Sequence, residues 1–376
     1  MVVPLGGRIA AAVIGGSLVL TAWASVVGTL IVARSVSGRL TRWVDWVADR
    51  AYWLAIRKIT DYGRRDKMLA TEAAAILLLQ LVVWLGVACT GFALLLWPFS
   101  TAKGLVGAFT DAGSSLFTLG FAEPAGAVPA AIVFLGAATG LVILTLQIAY
   151  LPTLYSAFNR RETEVAPLNG RAGVPTWGPE LLARTHYALG TGMSTLDTMP
   201  ELYALWERWA ADIAESHTTY LPLVRFRSPG ALSSWVTSLL GVLDSAALFL
   251  ALSPGAAPEV SARLCLRSGF LCFYRIARAM DIEVPAEPNR DDGISLTYQQ
   301  FLDAIDRMKQ VGFPVEREPE DAWPDFVGWR VNYERAAFAV AAAVDAAPAL
   351  WSGPRRSGVA PIPPIRPPAG RAPAKS

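Results

Sequence analysis

Between Asp111 and Pro124 the chain reads DAGSSLFTLGFAEP, and its chemistry centres on Thr118, Leu119, Gly120 and Phe121. Thr118 offers a hydroxyl and a carbonyl, and the next three residues offer carbonyls. Closely spaced oxygens with no competing side-chain charge suit the dehydration of a cation. Gly120 tolerates the left-handed backbone that aims successive carbonyls one way. Phe121 is expected to turn away from such an axis and wedge the loop against its supports.

A loop of this kind needs apolar walls, and the composition supplies them. The 376 residues are 53% hydrophobic and 17% charged, with mean hydropathy +0.38, far from the soluble average. Three runs reach the roughly 20 residues that a helix needs to cross a bilayer: Ile9 to Ala33, Ala73 to Phe99, and Val128 to about Phe158. The first continues past a signal-like Ala22-Trp23-Ala24 into a basic cluster, so it is read as an uncleaved span. The stretch Leu105 to Phe117 predicts a short helix whose negative dipole end points into the loop. Irregular backbone at that depth survives only when buried in protein or lining a wet cavity, which implies a re-entrant segment.

Basic residues set the orientation. Nine lie between the first two runs (Arg34, Arg39, Arg42, Arg50, Arg57, Lys58, Arg64, Arg65, Lys67), against Lys103 alone beside the opening stretch. The first loop is therefore expected inside, the second outside, the N-terminus outside, and everything after Arg160 and Arg161 in the cytoplasm of a bacterial-type inner membrane. Within the first loop Leu40, Trp43, Trp46, Val47, Trp53 and Ile56 recur at helical spacing among charges. This predicts a helix lying on anionic headgroups, or a linker helix packed on the cytoplasmic domain. The net charge of +2 recommends no nucleic-acid partner.

Residues 73 to 162, about a quarter of the chain, resemble the pore module of the tetrameric potassium-channel superfamily in its two-helix form. The resemblance rests on Ser114-Ser115-Leu116-Phe117 running into Thr118-Leu119-Gly120-Phe121, with acidic Glu123 just beyond. It implies a selectivity filter of Thr118, Leu119, Gly120, Phe121 and Ala122, an outer mouth at Glu123, a homotetramer, and permeant potassium or sodium with no cofactor and no other metal. Ala122 stands where the family has its second filter glycine, and a left-handed alanine costs about 1 to 2 kcal/mol. In the third run Gly136 and Gly140 allow close helix approach or a bend, Gly140 falling at the expected hinge. Gln147 is read as facing the pore above an inner gate of Ile148, Leu151 and Tyr155, or as bonding a neighbouring helix. Pro152 is read as a gating kink or as the exit from the bilayer.

The expected architecture is thus an all-α membrane protein: three transmembrane helices with a re-entrant pore helix and filter loop, plus a mostly helical cytoplasmic domain. Its divisions are 1–33, first span; 34–70, basic amphipathic linker; 71–162, pore module; 163–180, Pro/Gly-rich link; 181–352, cytoplasmic domain; and 353–376, disordered Pro-rich tail. Domain helices are predicted at 181–187, 199–215, 229–252, 259–280, 297–311 and 330–346, the fifth opened by a Thr297–Gln300 capping box. Residues 231–252 have membrane length, but a span there would leave Arg263, Arg267, Arg275 and Arg278 outside. A buried helix with Asp244 paired to an arginine or capping backbone is preferred.

Catalytic constellations are thin, and no enzymatic activity is expected. His186 and His217 stand far apart without an acidic or cysteine cluster. Cys89, Cys265 and Cys272 read as small buried hydrophobes. Gly190-Thr191-Gly192 lacks a dinucleotide context, Asn289 to Gly293 lacks the glutamate of a calcium loop, and Trp323, Trp329, Tyr333 and Trp351 read as core. The rival to a conducting pore is a membrane-anchored signalling or scaffold protein.

Overall fold

The computed structural model describes residues 5–32, 38–100, 104–121, 124–186 and 195–365. Among these the chain is all-helical, with no strand beyond a single Ala349–Ile362 bridge. Its helices are α1 Leu5–Leu30, α2 Arg39–Ile56, α3 Tyr62–Leu69, α4 Glu72–Leu96, α5 Gly104–Leu116, α6 Ala127–Ala172, α7 Gly178–Arg184, α8 Met199–Thr219, α9 Trp235–Leu252, α10 Glu259–Ala279, α11 Tyr298–Lys309, α12 Pro319–Arg330 and α13 Glu334–Ala343. They form two compact units, Met1–Ala55 with Thr71–Ser156, and Ile56–Ala70 with Ala157–Ser376.

In the first unit α1 packs along α4, and α4 along α5. The α1–α4 approach is close enough that a Cβ on Gly15 would lie 2.6 Å from the Gly91 carbonyl oxygen, and one on Gly91 2.9 Å from that of Gly15. Small residues let apolar helices meet backbone to backbone, where packing replaces a hydrophobic driving force. Indoles add bridges: Trp84 Nε1 of α4 donates to Ser25 Oγ of α1 at 2.9 Å, and Trp23 Nε1 of α1 to Thr139 Oγ1 of α6 at 3.1 Å.

The second unit has its own core, built from α7 to α13 and the end of α6. Among the described residues four stretches are long and apolar enough to cross a membrane: Gly6–Leu30, Tyr62–Phe99, Ala127–Ala172 and Trp235–Leu252. The last differs from the others, because 94% of it is buried inside the protein against 28–39% for the rest. Packed by α7, α8, α10, α12 and α13, α9 has no face left for lipid. Its carboxylate Asp244 is paired with Arg330 and accepts from the Tyr333 hydroxyl at 2.9 Å, the pairing to an arginine that the sequence suggests.

Three stretches depart from the sequence reading. Helix α6 runs 46 residues, through Pro167 and Gly170, where a link at 163–180 was expected. The reason is a buried row at helical spacing, Ala157, Arg161, Val165, Leu168 and Ala172, which outweighs the local Pro/Gly composition. Helix α12 forms despite Pro324 because Ala322, Phe326 and Arg330 bury one side of it. The Pro-rich tail is tied down as far as Ile365, not free from 353. Arg355 donates to the carbonyls of Ala346, Ala347, Ser352 and Gly353, and the Ile365 amide donates to Val174 at 2.9 Å.

Candidate functional site

The element carrying the candidate filter is α5, whose buried side is made of Gly107, Ala108, Ala112, Ser114, Ser115 and Leu116. Side chains this small bring its axis close to α4. The helix ends in a hydrogen-bond pattern that turns the chain sharply: the Thr118 amide donates to Ser115 (2.9 Å) and the Leu119 amide to Ser114 (2.8 Å). This is the paired bonding of a Schellman cap, in which one residue must be left-handed and is ordinarily glycine. Here Thr118 takes that place, with φ 54°. A β-branched residue there is strained by about 1 to 2 kcal/mol, and such strain concentrates at functional sites.

Gly120 is also left-handed, at φ 81°, while Leu119 and Phe121 keep negative φ. Alternation of this kind turns successive peptide planes so that neighbouring carbonyls can share a side. The loop is held from behind by the hydroxyl of Ser114, which accepts from the Phe121 amide at 3.0 Å. Thr118, Leu119, Gly120 and Phe121 are all exposed in the single chain. Phe121 is 56% exposed and so is not wedged against its own helices.

Two glycines of α6 seat the end of α5. A Cβ at Gly136 would lie 2.6 Å from Ser115 Oγ, and one at Gly140 would fall 1.8 Å from the Leu116 carbonyl oxygen. Ser115 completes the joint by donating its hydroxyl to the Val133 carbonyl. Of the two roles open to Gly140, the structure displays close approach, and α6 continues unbroken through it and through exposed Pro152.

Gln147 is 6% exposed, on the same buried side of α6 as Thr139, Gly140, Ile143, Tyr150 and Leu154, and faces its own chain. An axis shared by several copies must lie against a face that one copy leaves exposed. Its Oε1 has no hydrogen-bond partner among the described residues, so the neighbouring-helix bond is not seen either. The exposed side of α6 instead carries Leu141, Thr145, Ile148, Leu151, Pro152 and Tyr155.

Ala122, Glu123 and Gly190 to Gly192 lie outside the described residues. Among those described, no group of three His, Cys, Asp or Glu side chains could hold a metal. His217 is buried in the second unit, its Nε2 3.2 Å from Arg161 Nη1. The joint roles of Ser114 and Ser115 were missed in the sequence, where both read only as members of a motif. Ser115 sits opposite Gly136, while Gly140 meets the Leu116 backbone and Ser114 holds the loop. No protein-family model, curated protein or solved structure matches the chain.

Proposed function

We propose that the chain assembles as a homotetramer whose four Thr118–Ala122 loops form a potassium-channel-like filter in the inner membrane, with Glu123 at its outer mouth. Three spans carry it, α1, α4 and α6, and α5 is the re-entrant pore helix. The reading rests above all on one observation: a 13-residue helix between two membrane-length helices ends in an exposed loop whose backbone handedness alternates at Thr118 and Gly120. Uncharged oxygens arranged in a ring replace the hydration shell of a potassium or sodium ion, and conduction is passive. The α6 helices line the inner path with their exposed side. Gating passes along α6, which is one helix from Ala127 to Ala172 and is fixed in the second unit by Arg161, whose guanidinium donates to Leu223 and Phe226 carbonyls at 2.9 and 2.7 Å.

The test is ion flux in liposomes holding the purified full chain, with reversal potentials measured in mixed potassium and sodium. Flux that disappears in Gly120→Val while the oligomer persists is the expected result. Absence of flux under every imposed gradient and voltage overturns the reading and leaves a membrane-anchored scaffold.

A further inference from the structure

Helix α2 has two faces with different chemistry. Thr41, Val44 and Ala48 are buried. The Thr41 hydroxyl is hydrogen-bonded to those of Ser25 (2.9 Å) and Thr29 (3.0 Å), and Gln80 donates to Asp45 at 2.8 Å. These bonds pin α2 beside the last turns of α1, where the apolar stretch of that helix ends. The opposite face presents Arg39, Trp43, Trp46, Arg50 and Leu54, spaced 4, 3, 4 and 4 apart and so aligned along one stripe. Trp43 and Trp46 are 55% and 64% exposed, and the Arg50 guanidinium lies 5.0 Å from the Trp53 ring centroid. No carboxylate falls on the stripe: Asp45 is held by Gln80, and Asp49, one turn later, lies on the same flank as Asp45.

We infer that this stripe is a binding site for anionic phospholipid headgroups. Guanidinium forks pair with phosphate oxygens. Indoles prefer headgroup depth, with the ring toward acyl chains and the N–H toward water. A cationic, carboxylate-free stripe repels the same stripe on another copy, and its fixed place at the end of a span brings it to the leaflet surface. The site lies outside the filter and does not depend on whether that loop conducts.

The experiment uses the full chain in phosphatidylcholine nanodiscs into which brominated phosphatidylglycerol is titrated, reading the quenching of tryptophan fluorescence. Brominated phosphatidylcholine is the reference. Preferential quenching by the anionic lipid is expected. It should be lost in Trp43→Phe/Trp46→Phe and shifted to about 30-fold higher lipid in Arg39→Gln/Arg50→Gln, roughly five-fold per cation removed. Arg39→Lys/Arg50→Lys should retain most of it, separating charge loss from misfolding. Equal quenching by the two lipids overturns the site, as does indifference to the glutamine pair. Shielding of both indoles in lipid-free detergent, with Trp43→Ala/Trp46→Ala changing the oligomeric state, assigns the stripe to a second copy and also overturns it.

Discussion

Gly140 stands so close to Leu116 that a Cβ on the glycine would fall 1.8 Å from the leucine carbonyl oxygen. That atom is backbone and the last turn of α5 is held by its own cap, so neither side can yield locally. Gly140→Ala is therefore expected to force α6 from α5 and cost about 1 to 3 kcal/mol or more. Gly86→Ala is the control, since a Cβ there meets nothing within 4 Å and Ala is the better helix former by about 0.5 to 1 kcal/mol. Thermal unfolding of both variants in detergent checks the contrast. Equal midpoints would mean that the crossing is looser than described.

The Ser114 hydroxyl ties the loop to its own helix through the Phe121 amide. Removing it in Ser114→Ala forfeits one hydrogen bond, about 0.5 to 1.5 kcal/mol, and should leave the helices intact. Amide exchange at Phe121 should quicken by roughly two- to twelve-fold for that energy, and flux selectivity should weaken with it. An unchanged exchange rate would detach Ser114 from the loop.

Legibility in the sequence followed local chemistry. The Thr297–Gln300 capping box is present because its partners are three residues apart and need nothing else. Apolar runs of membrane length likewise announce α1, α4 and α6, and of the two roles open to Asp244, pairing with an arginine or capping backbone, the pairing is found, with Arg330. What local pattern could not carry was facing. Gln147, polar in an apolar span, could be read toward a pore or toward a neighbouring helix, because which side of α6 is buried depends on contacts with α4 and α5. Burial of Val165, Leu168 and Ala172 likewise kept α6 helical past a proline that composition alone reads as an end.

The facing of α6 makes a paired prediction. Thr145 is exposed and Gln147 buried. In a Cys89→Ser background, Thr145→Cys should react with a water-soluble thiol reagent, and the modification should reduce flux. Gln147→Cys should stay unreactive in the folded protein. Gln147→Leu should be neutral or mildly stabilising, because an unpartnered Oε1 leaves with it. Flux lost in Gln147→Leu with the oligomer intact would return Gln147 to the conduction path.

In the second unit, burial and the neighbouring Arg161 guanidinium hold His217 well below its ordinary value of 6.5. The folded state therefore keeps the imidazole neutral, while the unfolded chain takes up a proton as pH falls through about 6.5. The stability tied to this group is complete above that pH and declines below it, toward the depressed folded value. His217→Gln removes the titration and can still accept from Arg161. Between pH 7 and 5 the variant should lose less thermal stability than the parent, and parallel losses would exclude His217 as the cause.

Arg330 donates to Asp244 and Glu334 and to the Trp351 carbonyl, with both carboxylates and the guanidinium almost wholly buried. Deleting one partner of a buried pair costs more than the pair contributes, because the remaining charge keeps its desolvation penalty. Asp244→Ala also strips the Tyr333 hydroxyl of its acceptor. A loss of about 3 kcal/mol is expected, at the lower end of the range because Glu334 remains. Replacing Asp244 and Arg330 together by Leu and Met should recover much of it, since no unpaired charge is left inside. If α9 instead lay in lipid away from α12, Asp244→Ala would raise stability by removing a carboxylate from hydrocarbon. The sign of the change in unfolding midpoint thus distinguishes a helix enclosed by protein from a fourth span.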